Sequence, residues 1–217
     1  MKTRNKVLLT LACAVLLVTA SVMGTLAWLT STGTVTNTFT VGQVKITLDE
    51  AKVNEYGVKL NDKDEVATES DTLASRVNGN EYKLIPGHTY VKDPIIHVSA
   101  DSENCYLFVK IENGLAAILD TKTIEEQMKD KGWKPLNEND NPGVYYYAGT
   151  EATDMKSVAK NANISVFEYF KLKGADVTAT TLESYGQSTP ITVTAYAIQA
   201  DGFAADAPQA AWSALNP

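Results

Sequence analysis

Histidine and cysteine, the residues most often used in metal binding and nucleophilic catalysis, are scarce in this chain. Histidine occurs only at positions 88 and 97. A zinc protease needs a pattern such as His-Glu-x-x-His, in which two imidazoles hold the metal and the glutamate polarises water, and this pattern is absent from the sequence. The Gly-x-Ser-x-Gly elbow of serine hydrolases is absent as well. We therefore predict that the protein is not an enzyme and has no catalytic, cofactor-binding or metal-binding residue.

The places of these few residues indicate structural roles. His88 belongs to a Pro-Gly-His-Thr turn, and His97 lies in an apolar run. Cys105 begins a segment in which apolar side chains alternate, which predicts a buried thiol and not a nucleophile. Cys13 falls inside an apolar stretch near the N-terminus, so a chain that has lost that stretch keeps one cysteine and forms no internal disulfide.

Two oxygen-rich clusters remain as candidates for ligand binding. They are Asp-Lys-Asp-Glu at residues 62–65 and Asn-Glu-Asn-Asp-Asn at residues 137–141. Calcium prefers such oxygen ligands, but neither cluster has the spacing, the fixed glycine or the terminal glutamate of an EF-hand loop. We interpret both as solvated surface loops.

The N-terminus has the pattern of a secretory signal peptide. Lys2, Arg4 and Lys6 form a basic start, and residues 7–23 are apolar or small. Small side chains at the two positions that a signal peptidase inspects predict cleavage between Ala27 and Trp28. The alternative is a retained membrane anchor, because residues 7–29 are long enough to span a bilayer. Contact with a membrane is expected only through this segment.

The charge distribution excludes two classes of partner. Loss of residues 1–27 removes three of the 19 Lys and Arg and none of the 26 Asp and Glu, so the formal charge changes from −7 to −10. Nucleic acid and anionic membrane surfaces attract positively charged proteins, so neither is an expected partner.

The elements that carry these residues are mainly β. Apolar and polar residues alternate in residues 34–48, and Val35, Phe39 and Val41 share one face. Residues 49–80 are charged and poor in aromatic residues, which predicts a long surface excursion. Further strands are predicted at residues 90–100, 105–112, 144–147, 164–173 and 191–199, short helices at 123–131 and 207–215, and a polar loop at 135–143. This order predicts a jelly-roll-like β-sandwich as the single domain of residues 28–217.

Three short blocks carry a resemblance to a known family. They are residues 24–30 (Gly-Thr-Leu-Ala-Trp-Leu-Thr) with 37–39 (Asn-Thr-Phe) and 42–44 (Gly-Gln-Val), residues 82–94 (Tyr-Lys-Leu-Ile-Pro-Gly-His-Thr-Tyr-Val-Lys-Asp-Pro), and residues 195–200 (Ala-Tyr-Ala-Ile-Gln-Ala) ahead of Trp212. In these blocks the chain resembles the TasA and camelysin (CalY) family of biofilm-matrix proteins.

The resemblance implies a jelly-roll domain, export through the dedicated signal peptidase SipW, and a place in the extracellular matrix or on the surface of a Gram-positive bacterium. It also implies self-association into fibres, alone or with related matrix proteins, in which the N-terminal strand of one subunit completes the sheet of the next. Residues 28–41 suit that role, because an uncharged, Thr-rich strand at a free N-terminus can add to a sheet edge.

Three alternatives stay open at this point. Residues 28–41 could form an ordinary edge strand of their own domain. The protein could be a monomeric surface adhesin or binding module that uses the aromatic run Tyr145, Tyr146 and Tyr147 or the excursion at 49–80. The resemblance also includes camelysin-type metallopeptidases, an activity for which the sequence supplies no zinc motif.

Overall fold

The computed structural model describes residues 42–120, 124–185 and 190–215. The predicted signal peptide, the cleavage site at Ala27 and Trp28, and the donor-strand residues Val35, Phe39 and Val41 lie outside the described residues. The described part of the chain contains no helix with the length and hydropathy of a membrane span.

Short strands dominate the described residues, as the sequence predicts. The strands are β1 (Ile46–Asp49), β2 (Thr89–Val91), β3 (Ile95–Val98), β4 (Cys105–Asn113), β5 (Trp133–Asn137), β6 (Asn141–Tyr147), β7 (Asn163–Ser165), β8 (Tyr169–Lys171) and β9 (Ile191–Gln199). The helices are α1 (Ile124–Asp130), α2 (Ala179–Tyr185) and α3 (Pro208–Leu215), with a 3₁₀ turn at Ala116–Ile118.

The strands form three antiparallel sheets. The largest has the order β5-β6-β4-β9, and the others have the orders β1-β3-β7 and β2-β8. Side chains from all three sheets meet in one hydrophobic core. One face of the largest sheet packs against this core. Helix α3 covers part of the opposite face of that sheet, where the indole of Trp212 packs on the rings of Phe108 and Tyr196 at centroid distances of 5.6 and 5.0 Å.

Strand β4 lies at the centre because both of its faces are apolar. Cys105, Leu107 and Val109 point into the main core, whereas Tyr106 and Phe108 point into the smaller cluster under α3. A strand that is covered on both sides needs an almost continuous apolar run, and residues 105–109 supply one. The predictions of a strand here, of a buried Cys105 and of a short helix at residues 207–215 are confirmed.

The segment at residues 49–80 is mostly exposed and contains few strand residues, but it is tied to the domain. Its bridges are isolated pairs, such as Glu50 with Val77. The carboxylate of Glu50 is buried and accepts hydrogen bonds from the Lys92 ammonium (2.8 Å) and the Asn80 amide (2.9 Å). A charge is tolerated in such a place only when it is paired, so this cluster fixes both ends of the segment to the domain.

Three details differ from the sequence predictions. The predicted loop at 135–143 is wrong, because most of it belongs to the β5–β6 hairpin, where Asn137 pairs with Asn141 across the turn. The predicted strands at 90–100 and 164–173 are each divided in two, the first of them around Pro94, which has no N–H to donate to a ladder. Helix α2 was not predicted.

Candidate functional site: the free edge of strand β9

The two histidines hold segments together. In β3, the His97 ring lies with Nε2 3.0 Å from Asp49 Oδ1 and Nδ1 2.6 Å from Asn163 Oδ1, so it links all three strands of its sheet. Arg76 contacts the same Asp49 carboxylate. Burial raises the pKa of Asp49, but hydrogen bonds from Arg76 and His97 outweigh it and hold the pKa below its ordinary value.

The second histidine lies in a separate place, where it packs on a core ring. His88 Nε2 is 2.8 Å from the carbonyl oxygen of Tyr56, and its ring meets the Tyr90 ring edge-on at 4.6 Å. Among residues 42–120, 124–185 and 190–215, no three His, Cys, Asp or Glu side chains converge as a metal site would require. These contacts give each histidine a structural partner.

The thiol of Cys105 is enclosed at the start of β4. Its side chain is fully buried, and burial raises the thiol pKa to about 11. A nucleophilic cysteine needs an exposed thiolate of lowered pKa. Cys105 therefore acts as a small apolar core residue.

The aromatic run in β6 is divided among separate contacts. All three tyrosines are half-buried. The Tyr146 hydroxyl donates to the Thr153 carbonyl at 2.8 Å, and the Tyr147 ring packs on Trp133 at 5.3 Å. Tyr145 borders an open groove of about 420 Å³ between α1 and the β5–β6 hairpin. The three rings thus make separate contacts and do not form one exposed row.

Strand β9 is long and is paired on one side. All nine of its residues pair with β4, from Ile191 opposite Asn113 to Gln199 opposite Cys105. No strand among the described residues pairs with its other side. Within residues 42–120, 124–185 and 190–215, this side, called the open side below, is therefore a row of backbone N–H and C=O groups without a strand partner, which is a template for another strand.

The register identifies which residues face this open side. Beyond the two ends of β9, Ala200 donates its N–H to Asn104 O (2.8 Å), and Gly114 donates to Pro190 O (3.2 Å). Both bonds continue the register of the β4–β9 ladder, in which every second pair exchanges hydrogen bonds. The even-numbered residues of β9 therefore bond to β4, and the odd-numbered residues direct their backbone groups outward: Ile191, Val193, Ala195, Ala197 and Gln199.

The edge lacks the features that usually prevent unwanted pairing. Residues 191–199 include no proline and no charged side chain, and their ladder with β4 is unbroken. The opposite edge of the same sheet, strand β5, carries Lys134 and Pro135 and has a register irregularity between Pro135 and Asn137. Proteins use such residues and bulges to block edges, so in the part of the chain that the structure describes this sheet is blocked on one side and unpaired on the other.

The inner face of β9 is incompletely covered. Four of its side chains pack against the main core but are only partly buried: Ile191, Val193, Ala195 and Ala197. The corresponding side chains of the central strand, such as Leu107 and Val109, are fully buried. A strand added to the open side would cover this apolar surface.

The described chain begins beside the residues that precede β4. Gly42 lies against the Glu103 side chain, and the Glu103 N–H donates to Gln43 O at 3.0 Å. The next residue, Asn104, accepts the hydrogen bond from Ala200 just after β9.

The sequence suggests a donor strand at residues 28–41 but does not identify the unpaired edge of β9. The alternating residues 191–199 are predicted as a strand, and β9 has these bounds. The face predicted to be shared is the one that packs on the main core: Ile191, Val193, Ala195 and Ala197. No local pattern shows that a strand lies at a sheet edge, although the absence of Lys and Pro was a usable signal. No protein-family model, curated protein or solved structure matches the chain significantly.

Proposed function

We propose that this protein is an exported structural subunit of the cell surface or biofilm matrix, and that it assembles into fibres by N-terminal strand donation. The observation that carries the proposal is the open, unblocked edge of β9, nine residues long. In this proposal the sheets form a jelly-roll-like β-sandwich that lacks one strand, and a neighbouring subunit supplies that strand.

Residues 28–41 are the proposed donor. They exceed the length of β9, carry no charge and alternate in polarity. Main-chain hydrogen bonds to the odd-numbered residues of β9 would provide affinity, and alternate side chains would fix the register. Val35, Phe39 and Val41 would face the core, where the small side chains of Ala195 and Ala197 leave room for larger partners.

Strand donation between subunits produces open filaments. The donor and the acceptor edge are different surfaces, so each added subunit exposes a new acceptor, and the contact does not close on itself. Residues 28–41 and the β9 edge belong to the same polypeptide, so pairing within one subunit competes with donation. Fibres form when donation to a neighbour prevails.

Export supports the same proposal. Cleavage between Ala27 and Trp28 by a SipW-type peptidase would free the donor strand only after the chain has crossed the membrane. Assembly inside the cell is thereby avoided. The formal charge of −10 keeps unassembled subunits dispersed at the surface of the proposed Gram-positive host.

Deletion of the donor tests this proposal. Protein comprising residues 28–217 should form filaments that electron microscopy detects after concentration, whereas protein comprising residues 42–217 should stay monomeric with the same circular dichroism spectrum. Mixing the two should shorten the filaments, because the truncated protein accepts a strand and donates none. Filaments of equal length from the truncated protein alone would disprove strand donation.

A further inference from the structure

The sequence contains two Asn-Gly pairs, and the structure places them in contrasting environments. Asn78–Gly79 is exposed and follows Val77, the last residue that is bridged to Glu50. Gly79 has no atom within 4 Å of the position that a Cβ would take, and its N–H has no hydrogen-bond acceptor among the described residues. Its backbone nitrogen is therefore free to move toward the Asn78 side chain.

The second pair, Asn113–Gly114, is held in place. Asn113 ends β4 and pairs with Ile191, and its side-chain oxygen accepts a hydrogen bond from Leu115 N (3.1 Å). The Gly114 N–H donates to Pro190 O at 3.2 Å. These bonds restrain both the Gly114 N–H and the Asn113 carboxamide, so the same dipeptide provides a control within one chain.

We propose that Asn78 is a site of spontaneous deamidation in the folded protein, whereas Asn113 is protected. The Gly79 nitrogen loses its proton and attacks Asn78 Cγ. A C–N bond forms, and the side-chain amide leaves as ammonia, which gives a five-membered succinimide. Water then adds to one of the two ring carbonyls and opens the ring to aspartate or isoaspartate. No oxidant or cofactor is needed.

The modification has a structural consequence because it lies next to an anchor. The Asn80 side chain donates to Glu50 Oε1 and to Ala51 O, both at 2.9 Å, and accepts from Val53 N at 3.0 Å. Isoaspartate at position 78 lengthens the main chain by one carbon between the Val77 bridge and this anchor. Ageing of the protein would therefore loosen the segment at residues 49–80 while the sheets stay intact.

Peptide mass spectrometry of the purified chain, incubated at mildly alkaline pH and sampled over time, tests the proposal. Asn78 should deamidate on the order of tenfold or more faster than Asn113, because the protected pair reacts only after local opening. In denaturant the two sites should react at similar rates. Equal rates in the folded protein, or no reaction at Asn78, would overturn the proposal.

A matched variant shows whether the glycine is responsible. Gly79→Ala adds a Cβ that meets no neighbour and requires no unusual backbone angle, so the fold should be unchanged. The added methyl group hinders attack and should slow deamidation of Asn78 on the order of tenfold or more, while Asn113 keeps its slow rate. An unchanged Asn78 rate in this variant would contradict the succinimide route.

Discussion

At the scale of single residues, Asp49 joins the end of β1 to two other parts of the domain. Its carboxylate contacts Arg76 from the surface segment and His97 from β3. The hydrogen bonds that these groups donate lower the pKa of Asp49 against the opposing effect of burial. A carboxyl group with a lowered pKa in the folded state stabilises that state above its unfolded pKa, and this contribution disappears as the pH falls through the folded pKa.

The substitution Asp49→Asn tests this role. At pH 7 it should lower the free energy of unfolding by about 1.5–3 kcal/mol, the usual contribution of hydrogen bonds to a charged group. The difference from the parent protein should shrink in urea titrations well below pH 3.8, the ordinary pKa of the carboxyl group, because the parent then also loses the charge. A difference that stays constant over this range would contradict the account.

The control is Asp101, whose carboxylate pairs with Lys45 at the surface. Both side chains of this pair are about half exposed, so solvent screens the interaction. Asp101→Asn should change the free energy of unfolding less than Asp49→Asn does. The comparison separates loss of a carboxylate in general from loss of the contacts at Asp49.

At the scale of elements, the residues of β9 alternate between positions whose N–H bonds to β4 and positions whose N–H faces the open side. The register assigns the N–H of Ala195 to the open side and the N–H of Thr194 to the ladder with β4. Proline at position 195 should therefore remove a donor needed for strand addition and leave the β4 ladder paired. We expect Ala195→Pro to prevent assembly, as judged by light scattering, and to keep the folded circular dichroism spectrum.

Proline at the neighbouring position is the matched control. Thr194→Pro removes a hydrogen bond to β4 and should lower the free energy of unfolding by about 1–3 kcal/mol more than Ala195→Pro does. If Ala195→Pro assembled normally, or if it were the more destabilising of the two, the assignment of the open side would be wrong.

Some of these strands could be predicted from the sequence, and others could not. The bounds of β9 and the burial of β4 follow from alternating or continuous apolar residues, which are local patterns. The β5–β6 hairpin was missed because its asparagines and Pro135 are typical of loops, and pairing across the sheet overrode that preference. The position of β9 at a sheet edge depends on strand order, which no stretch of sequence contains.

At the scale of the whole molecule, one edge of the largest sheet is blocked, and the other has no strand partner among the described residues. Strand β5 is protected by Lys134, Pro135 and an irregular register. Strand β9 presents five residues with outward backbone groups and a partly covered apolar face. The proposed donor, residues 28–41, and this edge belong to the same polypeptide. This asymmetry is what a subunit that grows head to tail requires.

The most direct test follows the amide protons of β9. Hydrogen exchange would be measured by NMR in protein comprising residues 42–217, with and without a synthetic peptide of residues 28–41, and with a scrambled peptide as control. Strand donation predicts that the outward N–H groups exchange rapidly without peptide and become protected with the authentic peptide; these belong to Val193, Ala195 and Ala197. The N–H groups that bond to β4, such as those of Thr194 and Tyr196, should be protected in every sample. Unchanged exchange at the three odd-numbered residues with a saturating amount of the peptide would contradict strand donation at this edge.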